Sequence, residues 1–269
     1  MDPGPLRDLL TAAAGVATGT LSGLFGVGGA VVSTPAIRAL GASAAIAVGT
    51  TLPSIIPGAA AGTLRYRRSG LVDRRAVLAT APAGCVAAVG GSLLSHVIPG
   101  HGHLLMLATA ALLAVSAWRM RRPVPAAVAE ADAEAAPRIQ RGRGRATAPR
   151  FAAVGVLAGL LSGLLGIGGG VAMVPGFTEV TGLRVKEAIA TSLACVGILA
   201  VPGTITHAAL GDIDWRFALL LVVGVVPGAR LGATLAVRAQ DARLRLAAAA
   251  FLGATAVLYA TGEIVALIR

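Results

Sequence analysis

Long apolar runs recur along this chain, and their length limits what it can fold into. The clearest runs cover about 20 residues each and lie at 43–64, 76–98, 188–210, 215–237 and 246–268. A helix needs about 20 apolar residues to cross the apolar core of a bilayer, which is roughly 30 Å thick. Hydrophobic residues make up 56% of the sequence and charged residues only 13%, which is too little charge for the surface of a soluble domain. We therefore expect an all-α integral membrane protein with several spans, and not a soluble enzyme or a disordered chain.

The chain contains two related halves. The segment from Gly15 to Ala30 matches the segment from Gly155 to Gly170 at a constant offset of 140, and with one residue inserted the match continues through the next apolar run. Such self-similarity indicates duplication, and repeated halves are the common build of secondary transporters. We predict two homologous four-segment halves, with a first membrane repeat at 9–122, a hydrophilic cytoplasmic linker at 123–150 and a second membrane repeat at 151–269.

The glycine cluster in each half is the candidate substrate site. Its members are Gly28, Gly29 and Ala30 in the first half and Gly168, Gly169 and Gly170 in the second. Each glycine in a helix interior costs about 1 kcal/mol relative to alanine, so the clusters predict a break in the first segment of each half. The half-helix after each break would present free N–H groups and the positive end of its dipole to an anion. We expect Gly29 and Gly169 to let the substrate approach the backbone; a packing kink without a ligand is the alternative interpretation.

Hydroxyl side chains and prolines also recur at matching places. Thr50 and Thr51 in the first half correspond to Thr191 and Ser192 in the second, and we predict that these four bind substrate. Alternatively, hydroxyls in membrane helices bond to their own backbone carbonyls. Proline removes a backbone hydrogen bond, and the predicted structural hinges are Pro35, Pro57, Pro175 and Pro202. The six glycines spaced four apart before the clusters predict close helix packing.

Arginine clusters set the expected orientation, because basic loops stay on the cytoplasmic side. The segment 65–75 and the linker are both rich in arginine, so the turn from Pro99 to His103 is expected outside. If the glycine-rich segment 151–181 crosses once, the arginines of 238–245 lie outside. If it is a re-entrant hairpin of two half-helices, they become cytoplasmic. The re-entrant arrangement obeys the arginine bias better, places the N-terminus outside and makes the halves inverted repeats, and we prefer it.

Other functions have little support in the sequence. Cys85 and Cys195 lie in apolar runs without a neighbouring cysteine or histidine cluster, as buried hydrophobic residues would. The net charge of +11 comes without a nucleic-acid recognition motif, and no catalytic spacing of carboxylates, histidines or serines occurs. We expect no enzyme activity, no metal, no cofactor and no nucleic acid. The expected partners are the lipid bilayer, a small anion and a coupling ion, either a proton or sodium; oligomers are possible.

The duplicated glycine pattern, the proline after it and the following threonine element resemble the TauE/SafE family of membrane transporters. The resemblance covers nearly all of the chain except the linker, and departs from a strict repeat at Ala30, where the second half has Gly170. It implies transport of small sulfur-containing anions, such as sulfite and sulfonates, or of other organic anions across the cytoplasmic (inner) membrane. An anion channel of the same fold and a non-transporting membrane scaffold subunit remain alternatives.

Overall fold

A computed structural model describes residues 4–97, 103–121, 148–165 and 168–268, and these residues form helices joined by short turns, with no strand among them. In chain order the described helices are α1 Pro5–Phe25, α2 Ala30–Ala39, α3 Ala44–Arg68, α4 Arg74–Val97, α5 His103–Arg121, α6 Ala148–Leu165, α7 Gly170–Val180, α8 Val185–Ala209, α9 Trp215–Arg238 and α10 Asp241–Ile268. The predicted all-α fold is confirmed. Most of the expected outer turn and most of the linker lie outside the described residues.

Six of the described helices are long and apolar enough to cross a membrane, namely those at Pro5–Phe25, Arg74–Leu94, Ala148–Leu165, Val185–Ala209, Trp215–Arg238 and Asp241–Glu263. By contrast, α2 has 10 residues and α7 has 11. At 1.5 Å per residue each is about 15–17 Å long, half of a bilayer core. The predicted break in the glycine-rich segment of each half is therefore confirmed, and each break is followed by a half-helix.

The hairpin of α1 and α2 enters and leaves the bundle at one end. Asp8, near the start of α1, bonds Arg216 at the start of α9 at 2.6 Å. Thr50, near the start of α3, accepts a hydrogen bond of 2.9 Å from the Asp214 N–H. Both the beginning of α1 and the chain that leaves α2 therefore lie beside residues 210–214, and we call this end A.

The hairpin of α6 and α7 enters and leaves at the opposite end. The Thr80 hydroxyl near the start of α4 donates to the Phe151 carbonyl of α6 at 3.2 Å. Thr191, near the start of α8, accepts from the Asp73 N–H at 3.1 Å. Both contacts lie beside the loop at 69–73, which we call end B. The two ends are separated by the length of α9, since α3 runs along α9 from Thr50 at end A to Arg65, which bonds Thr234. Hairpins entering from opposite ends are what the re-entrant interpretation predicts. The prediction of two half-helices in each hairpin holds only for the second arm, because α1 and α6 are each long enough to cross a membrane.

The six glycines spaced four apart, which we call the glycine stripes, place helices of opposite halves in backbone contact. A Cβ atom on Gly15, Gly19 or Gly23 would stand less than 3.0 Å from a backbone atom of α9. The matching glycines at 155, 159 and 163 of α6 meet the backbone of α4 in the same way. The carbonyl partners are Leu221, Val225 and Ala229 on α9 and Thr80, Gly84 and Ala88 on α4. These partners are also equivalent in the two halves, at an offset of 141, and the packing interpretation of the stripes is confirmed.

Candidate functional site

Glycine permits the backbone conformation at each break. At the end of α1, Gly26 and Gly28 have φ of 66° and 90°. Before α7, Gly168 and Gly169 have φ of 82° and 68°. This left-handed region is strained for residues with a Cβ atom. Gly29 differs, because its φ of −70° and ψ of −28° are ordinary helical values. The two breaks therefore occupy matching places in sequence with different local turns.

The two breaks meet in the core of the bundle. A Cβ atom on Gly170 would stand within 3.0 Å of the carbonyl oxygens of Gly26 and Val27, and one on Gly168 would lie 3.7 Å from the Gly28 Cα. Ser192 of α8 donates to the Gly26 carbonyl at 2.8 Å. The structure thus brings together the predicted glycines of both halves and one of the four predicted hydroxyl residues.

Helix packing shows how deep these breaks lie. Gly23 contacts Ala229, which is about 14 Å before the end of α9 at 1.5 Å per residue. Gly163 contacts Ala88, which is about as far before the end of α4. The first break is therefore well inside end B and the second well inside end A. The described residues of both breaks are buried, so their backbone is packed inside the protein, in keeping with the cost of exposing unpaired polar groups to lipid.

The helix that starts at each break offers backbone donors. In α2 the N–H groups of Val32 and Ser33 donate to the Gly29 carbonyl, at 3.0 and 3.1 Å. Ala30 and Val31 begin the helix, and within the described residues their N–H groups have no backbone acceptor. In α7 the Gly170 N–H donates to the Gly168 carbonyl at 2.9 Å. Free N–H groups at a helix start can bind an anion. The first turn of α2 has more free N–H groups than the described first turn of α7.

The space beside Gly29 and Gly169 is filled by the chain itself. A Cβ atom on Gly29 would stand 2.7 Å from Thr18 Cγ2, and one on Gly169 would stand 2.6 Å from the Ala158 carbonyl oxygen. Packing against α1 and α6 is therefore enough to explain why both positions are glycine. Substrate contact at these two residues stays a prediction.

These observations agree with comparisons to known proteins. A family model described as "Sulfite exporter TauE/SafE" matches residues 11–259. The chain belongs to the TauE/SafE family. A probable membrane transporter protein of Xylella fastidiosa (strain 9a5c) is 30% identical over 245 residues, which cover 86% of this chain and 85% of the relative. The probable membrane transporter protein YunE of Bacillus subtilis (strain 168) is 27% identical over 241 residues, covering 82% and 85%. No solved structure matches the chain.

This TauE/SafE chain is therefore a multi-pass membrane transporter, and the resemblance drawn from its glycine pattern is confirmed. The four predicted hydroxyl residues divide into two groups within it. Thr50 and Thr191 accept hydrogen bonds from Asp214 and Asp73, so each one ties α3 or α8 to a loop of the other half. Thr51 lies deeper beside α2, with its Oγ1 3.4 Å from that of Thr34.

The four predicted hinges of the TauE/SafE chain all lie inside continuous helices. Pro35 is in α2, Pro57 in α3, Pro175 in α7 and Pro202 in α8. A proline within a helix removes one backbone hydrogen bond and favours bending there. A hinge function of these prolines stays a prediction.

Sequence analysis does not predict two ion pairs of the TauE/SafE chain. Arg38 of α2 bonds Glu263 of α10 at 3.0 Å near end A, and Glu263 is only 2% exposed. Arg119 of α5 bonds Glu179 of α7 near end B. Each pair joins the short helix of one half to the last helix of the other. In the sequence these charged residues look like ordinary membrane-interface residues, because the two partners of each pair are far apart along the chain.

Proposed function

We propose that this TauE/SafE transporter moves a small anion, such as sulfite, a sulfonate or a related organic anion, across the cytoplasmic membrane by alternating access. The observation that carries the proposal is the contact between the two glycine breaks. The two hairpins enter from opposite ends, and their glycine breaks meet in the core. A helix, α2 or α7, starts directly after each break. Helix starts at broken segments near the bilayer midplane are where transporters of repeated build bind anionic groups.

In this proposal the anion lies where α2 and α7 begin. The backbone from Gly28 to Ala30 would donate N–H groups from one side, and the backbone from Gly168 to Gly170 from the other. Thr51 and Ser192 are the predicted hydroxyl residues nearest to these helices. Thr50 and Thr191 would act at a distance, by holding α3 and α8 in register with the opposite half.

Alternating access requires that the two ends open in turn. The ion pair between Arg38 and Glu263 ties α2 to α10 toward end A, and the pair between Arg119 and Glu179 ties α5 to α7 toward end B. Both are formed in the described conformation, in which the breaks are buried. We propose that each pair separates when its own end opens. A proton or sodium ion would couple to this motion.

Basic residues support a cytoplasmic location for end B. The helix ends and starts gathered there carry most of the basic residues that the structure describes: Arg65, Arg67, Arg68, Arg74, Arg75, Arg119, Arg121, Arg150, Arg184, Lys186, Arg238, Arg243 and Arg245. End A has Arg7, Arg38 and Arg216. In this proposal the N-terminus and residues 210–214 lie outside, because basic loops are biased toward the cytoplasm.

Transport into proteoliposomes tests the proposal. Purified protein is reconstituted, and uptake of radiolabelled sulfite is measured against protein-free vesicles. A carrier gives saturable uptake that is accelerated by unlabelled sulfite inside. Uptake that neither saturates nor responds to internal sulfite would indicate a channel. If no anion in a panel of sulfite, sulfoacetate, taurine and carboxylates is transported or raises the melting temperature, the scaffold alternative is favoured.

A further inference from the structure

One buried hydroxyl beside the first break has no partner. Thr18 of α1 is 1% exposed, and its Oγ1 has no hydrogen-bond partner among the described residues. The other two threonines of α1 behave differently. Thr11 donates to the Arg7 carbonyl and Thr20 to the Val16 carbonyl, both at 2.8 Å. Since threonine in a helix ordinarily makes this bond to the preceding turn, the conformation of Thr18 calls for an explanation.

The side chain of Thr18 lies at the start of α2. Its Cγ2 is 2.7 Å from where a Cβ atom of Gly29 would stand, and Gly29 is the residue before the first turn of α2. Because the methyl and hydroxyl of threonine are bonded to the same carbon, Oγ1 is the neighbour of a methyl group that packs against Gly29. The same region holds the N–H groups of Ala30 and Val31, which have no backbone acceptor among the described residues.

The second half has no hydroxyl at the position that matches Thr18. Thr18 corresponds to Ala158, which faces Gly169 from α6 as Thr18 faces Gly29 from α1. On the helices that follow, Ser33 and Thr34 of α2 correspond to Met173 and Val174 of α7. These residue pairs are all buried. At these three matching places the residues around the start of α2 are polar and those around the start of α7 are apolar. Beside Gly169 the second half does have Ser162, whose Cβ lies 3.3 Å from where a Cβ atom of that glycine would stand.

We propose that the substrate anion binds at the start of α2 and not equally at both breaks, and that the Thr18 hydroxyl donates a hydrogen bond to one of its oxygens. This inference rests on the proposed function and narrows it to one half of the molecule. Buried hydroxyls and N–H groups without partners are unfavourable in an apolar interior. An oxyanion accepts bonds from all of them at once, and bonds to a charged acceptor are stronger than bonds between neutral groups.

The test compares Thr18→Val with Thr11→Val in the full-length protein. Thr18→Val removes a hydroxyl that has no partner among the described residues, whereas Thr11→Val removes one that bonds Arg7. We expect Thr18→Val to bind radiolabelled sulfite about tenfold more weakly, the size of effect of one hydrogen bond to a charged group, with an unchanged melting temperature. Thr18→Ser should keep the affinity. Thr11→Val should lower the melting temperature and keep the affinity.

Thr18→Ala provides a second variant, because alanine is what the second half has at this place. Wild-type affinity for sulfite in both Thr18→Val and Thr18→Ala would overturn the assignment of Thr18, while the proposed function would stand. A lower melting temperature with unchanged sulfite affinity would show that Thr18 serves packing only, and would also overturn the assignment. If the wild-type protein shows no saturable binding of any anion in the panel of sulfite, sulfoacetate, taurine and carboxylates, the proposed function falls and this inference falls with it.

Discussion

The short helices α2 and α7 occupy matching places in the two halves, but they differ in chemistry. Each follows a glycine break and packs near the last helix of the other half. The buried face of α2 carries Ser33 and Thr34, whereas that of α7 carries Met173 and Val174. The charges are exchanged as well, since α2 contributes the arginine of its ion pair and α7 contributes the glutamate. The two halves therefore share a backbone plan, which packing requires, while their side chains differ.

The largest expected difference between the halves concerns the ion pairs. Glu263 is 2% exposed, whereas the Glu179 side chain is 38% exposed. Breaking a buried pair by removing one partner costs about 3 kcal/mol or more, while an exposed pair contributes about 1 kcal/mol at most. Arg38→Met should therefore destabilise the protein far more than Arg119→Met. Thermal unfolding of both variants in detergent measures this. Equal losses would mean that the two pairs are equivalent despite their different burial.

Substitutions in the glycine stripes, unlike those in the ion pairs, should destabilise the protein equally in both halves. Gly19→Ala and Gly159→Ala each place a Cβ atom closer than 3.0 Å to a backbone carbonyl of the facing helix. Overpacking of this kind typically costs about 1–3 kcal/mol, so both variants should lose melting temperature by similar amounts. Gly90→Ala in α4 is the control, because its Cβ would meet nothing within 4 Å. A loss confined to one half would refute the equivalence of the two interfaces.

Valine variants of Thr50 and Thr191 test whether hydroxyl residues at matching positions have the same role in the two halves. Each valine variant would leave the N–H of Asp214 or Asp73 without its present acceptor. An unsatisfied buried group costs about 1–3 kcal/mol. These two bonds are partly buried, so Thr50→Val and Thr191→Val should lower stability similarly, toward the lower end of this range, and leave anion affinity unchanged. Binding of radiolabelled sulfite to both variants separates the interpretations. Weaker binding at unchanged melting temperature would return these threonines to the substrate site.

The orientation of the halves can be tested by labelling single cysteines. Ala39 lies toward end A and Ala242 toward end B, and both are exposed. In a background with Cys85 and Cys195 replaced by alanine, Ala39→Cys should react with an impermeant thiol reagent from outside. Ala242→Cys and Ala136→Cys in the linker should react only after the membrane is permeabilised. Labelling of Ala242→Cys from outside would rule out a cytoplasmic end B. Labelling of only one of Ala136→Cys and Ala242→Cys would rule out the re-entrant model.

Local chemistry explains which features were predictable from sequence. The apolar runs predict a membrane protein because their length matches a bilayer core. The glycine clusters predict the breaks because glycine both destabilises a helix and adopts the left-handed backbone seen at Gly28 and Gly168. These properties depend on a residue and its close neighbours. The family resemblance rests on the same local patterns.

Tertiary structure decided which side chains face one another. Thr50 and Thr51 are adjacent in sequence, yet one reaches a loop at end A and the other reaches Thr34, because successive residues of a helix point in directions about 100° apart. Arg38 and Glu263 are 225 residues apart, and no local pattern relates them. The partnerless hydroxyl of Thr18 is visible only once α2 is packed against α1. Contacts between distant segments arise from packing of the two halves, so the sequence determined the membrane class and the breaks, and the fold determined the partners.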